Sequence, residues 1–324
     1  MASKWYNLAV KKTDLQLLGT LNGGQSFRWK LDNSGNKEQW IGIFDHKLWI
    51  LEQENDAIKY QVYGDEENVN ENEKEYSKLL KNYFNLDINL QEYYKQWSDA
   101  DPYFKKASKQ FYGIRILKQD ITENIFSFIC SSNNNISRIT SMIEKLATFY
   151  GNKICTLNDT TYYSFPTINN LCVENVEKKL SENGFGYRAK YISKTAKFIN
   201  ENGGDLWLEK LKEMKYMDAR KNLMNLSGVG PKVADCICLM SLGHLEAVPV
   251  DTHVYQIATR LYLPKLGNKK TVTEKVYQEI GECFRNMYGP LAGWAHTILF
   301  CADLKKFQQN QDENSEPITK RKKK

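Results

Sequence analysis

The chain has 324 residues, of which 41% are hydrophobic and 26% charged, with a net charge of +6. It is long enough to bury a sizeable core in about two or three subdomains, and no apolar run reaches the ~18 residues needed to span a bilayer. The small net charge excludes a uniformly basic polyanion binder, so any affinity for nucleic acid must come from lysines and arginines placed locally.

Phe27 to Leu31, Trp40 to Phe44, Leu48 to Glu52 and Ile58 to Tyr63 are short runs rich in aromatic and β-branched residues. Asn33-Ser34-Gly35-Asn36 and Asp45-His46 separate the first three as turns, which predicts an antiparallel meander. Glu71 to Phe84 then has helical spacing through Leu79, Leu80 and Tyr83, so residues 1–98 are expected to form an α+β lobe around an antiparallel β-sheet. From about Asp99 the pattern is helical. Ile136, Ile139, Met142, Ile143 and Leu146 share one helix face, and Gly151 ends it. Further helices are predicted at about 174–182, 188–201, 205–214, 218–225, 232–242, 252–262, 271–287 and 291–306. The fold class is therefore α+β, with a mainly helical body over 99–307 and a polar, disordered tail over 308–324.

Met1 to Lys12 lacks the apolar core of a signal peptide. The seven cysteines, odd in number and without a C-x-x-C pair, read as reduced and mostly buried thiols of an intracellular protein. The terminal run Lys320-Arg321-Lys322-Lys323-Lys324 has the composition of a nuclear-import signal, as well as that of an ordinary solvated tail.

Chemistry concentrates in Leu226-Ser227-Gly228-Val229-Gly230-Pro231-Lys232-Val233-Ala234-Asp235, followed by Val248-Pro249-Val250-Asp251. Gly228 and Gly230 lie in a hairpin between two helical patterns, where backbone N–H groups can meet a phosphate. Lys232 follows at once and Asp251 opens the next helix. Taken singly, the glycines would serve as a helix C-terminus, Asp251 as an N-cap and Lys232 as a solvated helix residue. Together they suggest an enzyme that grips a nucleic-acid backbone and attacks it with an amine. The amine must shed its proton first, because an ordinary lysine, pKa ~10.4, is almost wholly ammonium at neutral pH.

This order resembles the helix-hairpin-helix DNA glycosylases, and the lysine resembles the members that also cleave the strand. Gly24-Gln25-Ser26-Phe27-Arg28-Trp29, Phe126 to Asn135, Gly186-Tyr187-Arg188-Ala189-Lys190-Tyr191 and Gly293-Trp294-Ala295 are similar to the eukaryotic 8-oxoguanine DNA glycosylase/lyases. The resemblance runs from about residue 5 to about residue 306. It implies a partner, double-stranded DNA carrying 8-oxoguanine opposite cytosine, no required cofactor, a monomeric protein and no membrane. An iron–sulfur relative would need four cysteines after the aspartate, and only Cys283 and Cys301 lie there.

The resemblance also implies roles. Lys232 would displace the base and form a Schiff base, and Asp251 would stabilise the positive charge on the sugar. The Gly24 carbonyl would accept the lesion's N7–H, and Cys236 and Phe300 would sandwich the base. Asn133, Arg138, Tyr187 and Arg188 would hold the orphaned cytosine, and His253 would contact a phosphate. The carbonyls of Met224, Leu226 and Val229 would hold a structural cation. Two positions depart from the family pattern. Pro231 stands where a hydroxyl residue is usual, which the first turn of a helix tolerates. His296 stands where a glutamine usually reads the base edge, which leaves open a relative that excises other oxidised or alkylated bases. A non-catalytic DNA-damage binding module is the reading from another class, and retention of Lys232 with Asp251 argues against it. An ordinary imidazole titrates near ~6.5, so acidification below about pH 6.5 is expected to weaken base reading by His296.

Overall fold

A computed structural model describes residues 4–64, 72–268 and 272–304. The N-terminal lobe contains β1 (Tyr6–Ala9), α1 (Leu17–Leu21), β2 (Trp29–Asp32), β3 (Gln39–Phe44), β4 (Lys47–Gln53), β5 (Ala57–Tyr63) and α2 (Asn72–Tyr83). The body follows as α3 (Leu90–Ala100), α4 (Pro102–Ser108), α5 (Ile121–Ser131), α6 (Ile136–Tyr150), β6 (Lys153–Leu157), β7 (Thr160–Tyr163), α7 (Val176–Glu182), α8 (Arg188–Glu201) and α9 (Asp205–Lys212). It is completed by α10 (Tyr216–Leu223), α11 (Pro231–Ser241), α12 (Thr252–Leu261), α13 (Glu274–Tyr288) and α14 (Ala292–Asp303). The tail over 308–324 and the last residues assigned to the body lie outside the described residues.

The five strands of the lobe form an antiparallel sheet in the order β1-β5-β4-β3-β2. Asp45 and His46 both have positive φ, the geometry that lets a two-residue turn follow the twist of β3 and β4. Strand β1 was not predicted. Its four residues bury only Tyr6 and Leu8, too little for a periodic signal, and it forms by pairing Tyr6 with Tyr60 and Leu8 with Ile58. Helix α2 lays Tyr76, Leu80 and Tyr83 over the sheet, with Tyr83 stacked 4.2 Å from Phe44.

A second core fills the body. The strand expected from Phe27 starts instead at Trp29, because Phe27 turns away into this second core, edge-on to Phe128 at 5.9 Å. The hairpin β6–β7 falls between the predicted helix that ends at Gly151 and the next at about 174, where no element was assigned within the mainly helical body; its residues are exposed or half-buried, and Arg28 donates to the Tyr163 carbonyl. Helix α14 is buried from Ala292 to Leu299. It closes on the segment before Asp251 because Gly293 has no side chain; a Cβ there would stand 2.0 Å from the Ala247 carbonyl oxygen.

The two cores meet at Arg115. This buried side chain donates to the carbonyls of Asp14 (2.6 Å), Asn85 (2.8 Å) and Ile88 (2.9 Å) and lies 5.8 Å from the Trp294 ring. Gln25 extends the seam, donating to the Arg115 carbonyl at 2.8 Å and accepting from the Leu117 N–H at 3.0 Å. Among the described residues no helix is long and apolar enough to cross a membrane.

Candidate active site

The hairpin connects α10 to α11. Leu226 accepts from the Val229 N–H at 3.1 Å across a turn with Gly228 at φ +84°. That value alone favours glycine, and a Cβ would also stand 2.6 Å from the Tyr191 ring. Gly230 differs, with extended φ and open space around its Cα. The Gly228 and Gly230 N–H groups donate to no acceptor among the described residues, so both can meet a phosphate. An open groove of about 510 Å³ runs from the hairpin past Tyr191 to Tyr187 and Ser132.

Pro231 and Lys232 occupy the first turn of α11, and the Lys232 Nζ lies 4.8 Å from the Phe128 ring centroid. Cys236 follows one turn later, buried, its thiol pushed up to about 11 by burial against the nearby Lys232 charge. Asp251 caps α12, and its Oδ1 accepts from the Val254 N–H at 2.9 Å. The charges of Lys232 and Asp251 both act on Cys236 and on His296, which brings α11, the α12 cap and α14 to one site.

His296 is 6% exposed, and neither ring nitrogen has a hydrogen-bond partner among the described residues. Burial lowers its pKa to about 4, although Asp251 and the adjacent Gly293 carbonyl favour the charged ring. The expected titration near 6.5 is therefore corrected: the low-polarity setting keeps the ring neutral across the physiological range. Phe300 lies 6.3 Å from the His296 ring and 6.0 Å from that of the exposed His253. The Gly24 loop reaches the same helix, since a Cβ on Gly23 would contact the Cys301 sulfur at 3.2 Å. No donor among the described residues reaches the Gly24 carbonyl, and Gln119 fixes the loop by donating to the Gln25 carbonyl at 2.8 Å.

The four residues assigned to the orphaned base also cluster. Asn133, exposed with φ +47°, follows α5, and Asn135 caps α6 by accepting from the Arg138 N–H at 3.0 Å. Tyr187 is 50% exposed and donates to the Ser132 carbonyl at 3.1 Å. Arg138 is exposed and donates to the Gly184 carbonyl at 3.0 Å. Arg188 is not a free surface donor: it is 3% exposed and donates to the carbonyls of Ser132 and Asn133. Its first role here is to hold the asparagine loop.

Sequence reasoning gave Tyr191 and Thr195 no role. Thr195 donates to the Ser227 carbonyl at 2.9 Å and Tyr191 packs on Gly228, so α8 joins the hairpin to the Tyr187 end of the groove. Their spacing of four residues on one predicted helix was the available signal.

Two family models match the chain. Residues 7–125 match the 8-oxoguanine DNA glycosylase N-terminal domain, and residues 126–283 the HhH-GPD superfamily base excision DNA repair proteins. The N-glycosylase/DNA lyase OGG1 of Arabidopsis thaliana is 37% identical over 98% of this chain and 85% of its own length. The N-glycosylase/DNA lyase of Saccharomyces cerevisiae is 39% identical over 94% and 87%. The Clostridium acetobutylicum 8-oxoguanine glycosylase/lyase, solved with double-stranded DNA containing cytosine opposite 8-oxoG, superposes with a TM-score of 0.76. It is 33% identical, covering 89% of this chain and 91% of that one. With two lobes, a glycine hairpin before Lys232 and a capping Asp251 that act on one buried pocket, the chain belongs to the OGG1-like 8-oxoguanine DNA glycosylase/lyases of the HhH-GPD superfamily.

Proposed function

We propose that this protein excises 8-oxoguanine paired with cytosine from double-stranded DNA and then cleaves the strand, with Lys232 as nucleophile and Asp251 as electrostatic stabiliser. The observation that carries the reading is the convergence of Lys232 and Asp251 on the pocket of Cys236, His296 and Phe300. A base must leave the stack to reach that pocket. There the Gly24 carbonyl accepts the N7–H that guanine lacks, the Cys236 and Phe300 side chains flank the ring, and neutral His296 offers one accepting nitrogen to the Watson–Crick edge.

The Lys232 amine, once deprotonated, attacks C1′ of the sugar. The glycosidic C–N bond breaks, its electron pair leaves with the base, and the base takes up a proton. Asp251, held by its bond to Val254, faces the positive charge that develops on the sugar. Opening of the ring C1′–O4′ bond leaves a protonated imine between Lys232 and C1′. The imine acidifies C2′; loss of a proton there expels the 3′ phosphate with the C3′–O electron pair. Hydrolysis of the imine restores Lys232.

The Met224 and Val229 carbonyls accept no hydrogen bond from the described residues, and the Leu226 carbonyl accepts only within its turn. These hard oxygen donors fit a cation beside a DNA phosphate, where it would be structural; duplex affinity that depends on the identity of the salt cation would support it. The basic run at 320–324, outside the described residues, is the basis for proposing nuclear import, testable by deleting it from a fluorescent fusion.

Borohydride reduction during turnover of an 8-oxoguanine·cytosine duplex tests the chemistry. The expected adduct maps to Lys232, and Lys232→Gln abolishes trapping and excision while retaining lesion binding. An adduct on another lysine overturns the mechanism.

A further inference from the structure

Asp235 lies on α11 three residues after Lys232, fully buried, and is not among the residues that face the pocket. Its carboxylate accepts from the Tyr216 hydroxyl at 2.7 Å and from Arg220 Nε at 3.1 Å, both on α10, and from the Tyr277 hydroxyl of α13 at 2.5 Å. Tyr216 and Arg220 tie together the two helices of the hairpin. Tyr277 does something different. Its hydroxyl oxygen also accepts the Val250 N–H at 3.2 Å, and Val250 immediately precedes Asp251.

A tyrosine hydroxyl has one proton and can accept as well. Here the proton has two possible acceptors, Asp235 Oδ2 at 2.5 Å and the Val248 carbonyl at 3.4 Å, and the charged, nearer oxygen wins. Burial, reinforced by the Asp235 charge, holds the phenol protonated, with its pKa well above the ordinary value. Once the proton points at Asp235, the hydroxyl lone pairs are oriented toward the Val250 N–H. The buried stretch Val248 to Val250 is thus registered against the helix that carries Lys232.

We infer that Tyr277, oriented by Asp235, is a positioning residue that sets where the Asp251 carboxylate stands relative to Lys232. The inference rests on the reading of Asp251 as the stabiliser of sugar charge. A displacement of about 1 Å in a catalytic group is enough to lose on the order of 100-fold in rate, and a lost hydroxyl beside Val250 acts on that scale.

The test separates two activities of the same enzyme. Base excision needs Asp251 beside the sugar, whereas cleavage of a pre-formed abasic site needs Lys232 and no base departure. Tyr277→Phe removes one oxygen and keeps the ring packed. Its single-turnover excision of 8-oxoguanine should fall about 10- to 100-fold, with abasic-site cleavage and borohydride trapping within about threefold of wild type. Combined with Asp251→Asn, it should slow excision no further than Asp251→Asn alone. Tyr216→Phe removes another donor from Asp235 without touching Val250 and should leave the ratio of excision to abasic cleavage unchanged. An equal loss of both activities in Tyr277→Phe, an additive double variant, or the same shifted ratio in Tyr216→Phe would overturn the inference. Normal excision by Asp251→Asn alone would overturn the reading of Asp251, and with it this inference, by a result distinct from the other three.

Discussion

His296 is a neutral imidazole without a hydrogen-bond partner among the described residues, in a pocket shared with Lys232 and Asp251. A pKa near 4 moves the acid sensitivity first expected of it. Comparing wild type with His296→Gln, the ratio of excision rates should stay flat from about pH 8 to 5.5 and turn toward the glutamine variant only below about pH 5. Stability follows the same group. The folded pKa lies below the unfolded one, so burial of the neutral ring stabilises fully above pH 6.5 and that contribution is lost as pH falls toward 4. The full loss is about 3 kcal/mol, and His296→Gln should lack it. Melting curves of the two proteins across this window check the sign; parallel curves would place the imidazole in contact with water.

Arg138 and Arg188 were grouped by sequence, and the structure separates them. Exposed Arg138 has donors to offer a cytosine, so Arg138→Ala should narrow the preference for cytosine over adenine opposite the lesion by about 1–3 kcal/mol. Arg188 holds the Ser132 and Asn133 carbonyls. Arg188→Ala should therefore lower excision against all four opposing bases alike, and a loss confined to cytosine would return it to direct reading.

At the scale of elements, the hairpin and α8 act as one unit. Gly228→Ala meets both the positive φ and the Tyr191 ring, whereas Gly230→Ala meets neither. We expect Gly228→Ala to weaken binding of damaged and undamaged duplex together by about 1–2 kcal/mol, with Gly230→Ala close to wild type. Titration of both variants against both duplexes decides it, and equal affinities for the two variants would contradict the assignment. Elements that carry a strong period or a turn signal were legible in advance: β3, β4, β5, α6 and α8 fall close to their predicted spans. β1 and the β6–β7 hairpin were not, because short strands are stabilised by what they pair with and their own residues show no decisive alternation.

Across the whole molecule, Arg115 joins the two cores and, through Gln25, holds the loop that presents the Gly24 carbonyl. Burial lowers its pKa to about 10, which leaves it charged at neutral pH. Arg115→Met should lower stability by about 2–4 kcal/mol by leaving three carbonyls without their donor. Discrimination between 8-oxoguanine and guanine should hold, because the Gln25 bond runs to the main-chain carbonyl of residue 115, which methionine keeps. Melting temperature and the two excision rates measure both effects, and lost discrimination would show that the Arg115 side chain itself also sets the Gly24 loop.

The residues of the chemistry and the outline of the fold were present in the sequence alone. Gly228 and Asp251 meet local constraints, a positive φ and an N-cap, that favour particular residue types. No local constraint calls for Lys232, which was legible only through its order and spacing with those two and the motifs around them. Tertiary structure decided everything that depends on distant neighbours. It lowered the pKa of His296 by burying the face of α14 that carries it, turned Arg188 inward to its own loop, and brought Tyr277 to the residue before Asp251. Burial and long-range hydrogen bonds depend on which segments meet, and one segment's composition does not encode the neighbour that will desolvate it.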